Sequence, residues 1–251
     1  VTITVDGQEE TLRAVTDAQG NFRLEPAPAG RFFVHVDGRT AQGSAWPDGL
    51  VPFEFAPSVS ASNRSKMILA MNELSSRFIG DVNIKFVQRI AEPDYLYILN
   101  DKNTYSSGVG LEGGVQYLGV SVSDWDVHYA LCHELMHVIG FYHEQSRPDR
   151  DSHVKIIWEN VSPSQILQFE LAVGSTTNNT PYDYTSIMHY SQCAYSICSK
   201  CSEKPEECRT IETLDPAFQN VIGNKSKLGD WDGVEMQLVY GPSAVWYCDA
   251  G

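Results

Sequence analysis

The chain lacks any unbroken apolar run of the length, roughly 18 residues, that a membrane-crossing helix needs, so no membrane span is expected. It is also short of cations: 18 lysines and arginines stand against 32 acidic residues, for a net charge of −14. The basic footprint of a nucleic-acid binder is therefore missing, and the acidic surface speaks mainly for solubility. No signal peptide opens the chain, which starts at Val1 rather than Met, as expected of a processed product or a trimmed chain. Neither an internal repeat nor a low-complexity tract is found. Nothing in the sequence addresses oligomeric state or cleavage preference.

What is present fits an ordinary globular protein. The 251 residues suffice for one large domain or a domain plus a small module, and 42% hydrophobic content allows a sizeable core. Six cysteines occur, at Cys132, Cys193, Cys198, Cys201, Cys208 and Cys248. An even count, with four packed between 193 and 208, points to disulfides and an oxidising, secreted or extracellular setting. The alternative is a second metal site at Cys198-x-x-Cys201. It is weaker, because no paired histidine or second C-x-x-C accompanies it.

One stretch carries the chemistry. Leu131 to Glu144 contains H-E-x-x-H extended to H-E-x-x-H-x-x-G-x-x-H. Histidines four apart on a helix stand about 40° apart around its axis, so both rings reach one metal ion. A third ligand six residues beyond His137 is roughly 240° further round and must come from outside that helix. Gly140 lets the chain leave, since glycine takes left-handed dihedrals freely. His133, His137 and His143 therefore read as Zn2+ ligands and Glu134 as the general base of a peptidase. A helix with chance histidines is the competing reading; the glycine and third histidine at the right spacing argue against it.

In order, residues 1–44 show strand and turn signals: Val1–Val5, Thr11–Val15, a turn over Asp17–Asn21, Phe22–Leu24 and Arg31–Val36. This β-rich extension resembles, loosely, an Ig-like or carboxypeptidase-regulatory-like sandwich. Gly38–Ser44 reads as a linker to a second unit over 45–251. There, Leu50–Phe55, Val82–Phe86, Tyr95–Leu99, Val115–Val122 and Val154–Trp158 read as strands. A helix is expected over Ser60–Phe78, with Met67, Met71, Leu74 and Phe78 on its core face. The zinc helix spans about Val127–Ile139, with Asp124 and Asp126 near its positive end. Ser162–Gln165 has the pattern of a capping box opening a helix. A last helix spans Asp230–Tyr240, with Trp231, Val234 and Leu238 on one face.

Two longer motifs identify a family. Gly140-Phe141-Tyr142-His143-Glu144-Gln145-Ser146-Arg147-Pro148-Asp149 resembles the extended signature of the astacin family of metzincin zinc endopeptidases. Tyr182 to Tyr190 is similar to its Met-turn, and Trp46–Pro52 and Asp232–Tyr240 resemble its ends. The resemblance covers about 46–250. It implies an α+β fold with a five-strand mixed sheet, two long helices and a cleft between two subdomains. It also implies Met188 as an apolar floor under the zinc. Tyr190 would be a switchable fifth ligand whose phenol stabilises the oxyanion. Val115–Val122 would be the edge strand that binds extended protein or peptide substrates. The implied function is a zinc-dependent endopeptidase; the alternative is a secreted binding or adhesion module with a structural zinc, which would have no need of Glu134.

The chain departs from that family in two ways. The family's usual two disulfides lack their cysteines here, and Trp125 occupies one of those places. Cys132 and Cys248 are left over and are hypothesised to pair, unless Cys132 is a buried thiol. Mature members bury the chain start against the glutamate matching Glu144, yet about 45 residues precede that point here. Some latency is expected, with Asp81 of Phe78-Ile79-Gly80-Asp81, Asp37 or Asp48 as candidate blockers of the zinc. Sequons at Asn63, Asn160, Asn178 and Asn224 matter only in a eukaryotic secretory pathway.

Overall fold

The computed structural model describes residues 2–5, 8–11, 13–16, 22–25, 32–35, 45–76, 82–172, 177, 180–223, 226–241 and 245–246. At the front are five short strands: β1 (Thr2–Val5), β2 (Gln8–Thr11), β3 (Arg13–Thr16), β4 (Phe22–Glu25) and β5 (Phe32–His35). β1 pairs antiparallel with both β2 and β5, while β3 and β4 pair with each other.

The middle of the chain builds a five-stranded sheet. Its strands are β6 (Leu50–Phe55), β7 (Lys85–Gln88), β8 (Tyr95–Asp101), β9 (Tyr105–Ser106) and β10 (Val115–Ser121), in the order β7-β6-β8-β10-β9. The first four run parallel and β9 runs antiparallel at the edge beside β10. This is the mixed sheet the sequence leads one to expect, with one correction. The outer position expected for Val115–Val122 belongs to Tyr105–Ser106. β10 lies one strand in, with Gln116, Leu118 and Val120 buried.

Two helices pack together and cover the sheet: α1 (Ala61–Ser76) and α2 (His128–Val138). α1 buries Met67, Ala70, Met71 and Leu74, the apolar spacing of one helical face; Phe78 lies outside the described residues. Every residue of α2 from Leu131 to Val138 is buried, histidines and glutamate included. A second, smaller core gathers Val154, Ile156, Val161, Phe169, Tyr182, Tyr190, Ile211 and Ile222. It is framed by β11 (Val154–Ile156), the single-turn α3 (Pro205–Cys208) and β12 (Ile211–Thr213), with β11 antiparallel to β12. The chain closes with α4 (Asp230–Tyr240) and β13 (Val245–Trp246), which pairs with β5.

Three local expectations are revised. The strand placed at Val82–Phe86 forms later, as β7. The capping box at Ser162 does not form: Pro163–Phe169 is a 3-10 helix and Ser162 makes no side-chain cap. On α4 the inward face is not that of Trp231 and Leu238, which are 39% and 54% exposed; Asp232, Met236 and Tyr240 are buried instead. The four clustered cysteines pair as Cys193–Cys201 and Cys198–Cys208, so Cys198-x-x-Cys201 is not a metal site. Cys132 belongs to neither pair, and Cys248 lies outside the described residues.

α2 is clamped at its C-terminal end, where a helix leaves carbonyls without intrahelical donors. Trp46 Nε1 donates to the Val138 carbonyl at 2.8 Å, and the Tyr240 hydroxyl donates to that of Ile139 at 2.7 Å. The same hydroxyl accepts from the Trp46 N–H at 3.3 Å. Residues far apart in sequence thus fix the end of one helix. Tyr240→Phe keeps the ring but leaves the buried Ile139 carbonyl without this donor. It is expected to cost about 1–3 kcal/mol in urea unfolding; an unchanged midpoint would show that the clamp carries no load.

Candidate active site

α2 presents His133, Glu134 and His137 toward a cleft between the two cores, and the chain then turns sharply. Gly140 takes φ 111°, a left-handed conformation open to glycine. The Phe141 N–H returns to the Met136 carbonyl at 3.0 Å and the Gly140 N–H to that of His137 at 2.9 Å. This closes the helix in the way a glycine C-cap does. The chain leaves extended and brings His143 back over the other two rings.

The three rings meet at their Nε2 atoms. His143 Nε2 lies 3.2 Å from that of His137 and 3.3 Å from that of His133. On the far side of the rings, His133 Nδ1 donates to the Ile187 carbonyl at 2.8 Å and His137 Nδ1 to the Phe141 carbonyl at 2.7 Å. A carbonyl can only accept, so in both rings the proton sits on Nδ1 and Nε2 carries a lone pair. Lone pairs facing one another this closely repel unless a cation lies between them. Nitrogens about 2.0–2.1 Å from a tetrahedral zinc would stand about 3.3–3.4 Å apart, so the trio fits such an ion. Glu134 stands beside them in the cleft, 9% exposed.

The turn from Ser186 to Tyr190 packs against the rings, its Ile187 carbonyl meeting His133 and its Tyr190 lining the cleft. Met188 is 2% exposed, and its carbonyl accepts from the Glu144 N–H at 3.1 Å. Asp232 of α4 holds this turn: Oδ1 accepts from Ser186 Oγ at 2.6 Å, and Oδ2 from the N–H groups of Ile187 and Gly229. That is why a carboxylate occupies the inner face of α4. Tyr190 is fixed by its N–H to Gln145 Oε1 at 3.1 Å, and its ring centre lies 4.2 Å from that of His143. Its hydroxyl donates to Gln168 Oε1 at 3.4 Å. Burial, reinforced by Tyr195 and Glu134, pushes the Tyr190 phenol well above its ordinary range.

The five residues singled out from the sequence, His133, Glu134, His137, His143 and Tyr190, all line one cleft of about 480 Å³. So do Gln168 and Tyr195, which no motif marked. Tyr195, in the cysteine-rich loop, has φ 53°, and its ring centre lies 5.4 Å from that of Tyr190. Asp124 lines the same cleft, and the Thr104 hydroxyl donating to it holds its carboxyl below the ordinary range. A neighbouring depression of about 360 Å³ shares His137 and His143 and is walled by Val109, Tyr142, Leu167 and Leu171. Of the candidate blockers, Asp48 is exposed in the 3-10 turn before β6 and does not line the cleft; Asp37 and Asp81 lie outside the described residues.

Glu144 is occupied by internal partners. Its Oε1 accepts from Arg147 Nη1 at 3.0 Å and from the Asp183 N–H at 2.7 Å. Arg147 also binds Asp149 through two nitrogens and donates to the Thr180 carbonyl. Glu235 Oε1 lies 3.6 Å from the same guanidinium and accepts from Thr180 Oγ1. Burial raises Glu144 well above the usual carboxylate range, with Glu235 adding to it and Arg147 opposing. Burial likewise raises Glu235 to about 7 and Asp232 to about 6.

Known proteins resemble this chain closely. The family model for Astacin, a peptidase family, matches residues 38–241. Zinc metalloproteinase nas-6 of Caenorhabditis elegans is 34% identical over 197 residues, 78% of this chain and 53% of that protein. High choriolytic enzyme 2 of Oryzias latipes is also 34% identical over 197 residues, 78% of this chain and 67% of its own length. The chain thus spans between about half and two thirds of these relatives. Among solved structures, High choriolytic enzyme 1, a hatching enzyme zinc-protease from Oryzias latipes, matches with a TM-score of 0.68 at 28% identity. That match covers 83% of this chain and 98% of the other. Myroilysin, at 18% identity and a TM-score of 0.53, shares the fold.

The buried carboxyls give stability a pH dependence. A carboxyl whose folded pKa is raised binds its proton more tightly when folded, so stability falls as pH rises between its ordinary and its folded pKa. For Glu235 that window runs from 4.5 to about 7. Glu235→Gln is therefore expected to be more stable than the wild type at pH 8, by on the order of 1 kcal/mol, with the gap closing near pH 4.5. Thermal unfolding at the two pH values checks this; a variant less stable at pH 8 would refute it.

Proposed function

This chain belongs to the astacin family of peptidases, and on that premise we propose that it is a zinc-dependent endopeptidase acting on protein and peptide substrates. His133, His137 and His143 are the metal ligands in this reading, Glu134 is the general base, and Tyr190 is the switchable fifth ligand and oxyanion donor. The observation that carries it is the convergence of three Nε2 atoms beside a buried glutamate. The cysteine-rich loop with its two disulfides supports an extracellular setting. Among the described residues no helix is long and apolar enough to cross a membrane.

Zinc bound by the three histidines would supply a Lewis acid that makes a water acidic and polarises a peptide carbonyl. The rest falls to the chain's own groups. Glu134 takes the proton from the attacking water and passes it to the leaving amine, a role supported by its carboxyl lining the cleft. The Tyr190 phenol is raised by burial above its ordinary range, which favours its protonated form. It can therefore donate a hydrogen bond to the oxygen that gains charge in the transition state. To do so it must leave its hydrogen-bond contacts with Gln168, at 3.4 Å, and with Tyr195.

The substrate is expected to lie extended along β9, whose Tyr105 and Ser106 line the cleft at the open edge of the sheet. The 360 Å³ depression past His143 would take one substrate side chain against Leu167 and Leu171. Residues 1–44 are read as an extension outside the catalytic unit that lowers its activity. Trp46 already bonds to Tyr240, and Glu144 to Arg147 and Asp183, so trimming need not create those contacts.

The decisive test is hydrolysis of casein or a quenched peptide by the full chain. A chelator is expected to abolish it. Glu134→Ala is expected to lower kcat by about 10²–10⁴ with zinc content unchanged. Full activity in that variant would overturn the mechanism. Tyr190→Phe is expected to lower kcat by about 10²-fold with KM little altered. A chain trimmed near Ala45 should cleave faster; equal rates would remove the latency claim and leave the peptidase assignment standing.

A further inference from the structure

A second group of ligand-type side chains lies on another face of α2. His128 and Cys132 are four residues apart, so they share a face, and Glu73 reaches them from α1, which packs against α2. His128 Nε2 is 2.6 Å from Glu73 Oε2 and 3.6 Å from Cys132 Sγ, and the three donor atoms lie within 4.8 Å of one another. The group is graded in depth: the Cys132 residue is 2% exposed, whereas the Glu73 and His128 side chains are 28% and 50% exposed. A sulfur forms the floor, a nitrogen and an oxygen form the walls, and the outer side opens to solvent. This face stands roughly 140° around the helix from the one bearing His133 and His137, so the two clusters share no ligand.

We propose that Glu73, His128 and Cys132 bind a second divalent ion of the zinc class, which clamps α1 to the start of α2. Around a tetrahedral zinc, nitrogen and thiolate donors stand about 3.5 Å apart and nitrogen and carboxylate donors about 3.3 Å apart. The separation of 3.6 Å between His128 and Cys132 already meets this. Glu73 need draw back by roughly 0.7 Å, within reach of a flexible, partly exposed side chain. Sulfur among the donors selects zinc or a softer metal over magnesium or calcium. Solvent supplies the fourth ligand. The ion would act by holding the helix that carries His133 and Glu134, without touching the reacting groups. Its binding does not depend on the peptidase reading.

The test counts metal in the full chain after equilibration with zinc and gel filtration. Two zinc ions per chain are expected in the wild type. One should remain in His128→Ala, which alters a half-exposed side chain and so should fold. Peptide hydrolysis should persist in that variant while its melting temperature falls and loses its dependence on added zinc. One ion should also remain in His133→Ala, which removes the other cluster. Cobalt in place of zinc should give a thiolate-to-cobalt charge-transfer band, present in His133→Ala and lost in Cys132→Ser. The proposal is overturned by a wild type holding one ion that His133→Ala removes, or by a cobalt spectrum without the thiolate band. A Cys132–Cys248 disulfide found by non-reducing peptide mapping would equally end it.

Discussion

Two backbone carbonyls, those of Ile187 and Phe141, decide what the cleft can do. Each accepts the Nδ1 proton of a histidine and so turns the Nε2 lone pair inward. Without them the rings could adopt the other tautomer or rotate, and the convergence of nitrogens would have no fixed centre. The placement of each carbonyl depends on something further away. Phe141 is positioned by the left-handed turn at Gly140. Ile187 is positioned by Asp232, whose carboxylate gathers donors from Ser186, Ile187 and Gly229. A side chain on the last helix thereby sets the protonation of a histidine on α2.

Around this centre the chain buries charge, which is costly unless each charge is bonded. Arg147 meets that condition through Glu144, Asp149 and the Thr180 carbonyl. The carboxyls are bonded too, yet burial outweighs those bonds and raises Glu144, Asp232 and Glu235 above their ordinary range. The cluster ties the segment after His143 to the Tyr182–Tyr190 turn and to α4. Its role is to fix the relative positions of three segments that sequence separates widely. Glu144 therefore belongs to the support of the site, one peptide bond from a residue that lines it.

The convergence of side chains at the candidate site is largely legible in the sequence, because bringing three rings to one point needs fixed spacing. The interval of four between His133 and His137, the glycine and the interval to His143 are geometric requirements, and they survive as a string. The face of α1 was legible through the spacing of Met67, Met71 and Leu74. Where reading failed, polar contacts had replaced apolar pattern. The α4 face turns on Asp232, a residue that hydrophobic periodicity scores as outward. Ser162 looked like a helix cap, but its hydroxyl pairs with that of Ser164 and the segment winds as a 3-10 helix. β9 has two residues, too few to show alternation, so the sequence pattern marks only the longer β10. Tyr195 and Gln168 reach the cleft through tertiary contacts with no local signature, and the pairing of four cysteines cannot be read from their order.

Catalysis by this chain would rest on a zinc ion held by three Nε2 atoms whose orientation the protein fixes in advance. Zinc-edge anomalous diffraction from crystals of the chain tests this most directly. The expected result is a peak about 2.0–2.1 Å from Nε2 of each of His133, His137 and His143, with the Ile187 and Phe141 carbonyls still bonded to Nδ1. A zinc-loaded crystal with no peak between those three rings, or with a peak bonded through Nδ1, would contradict it.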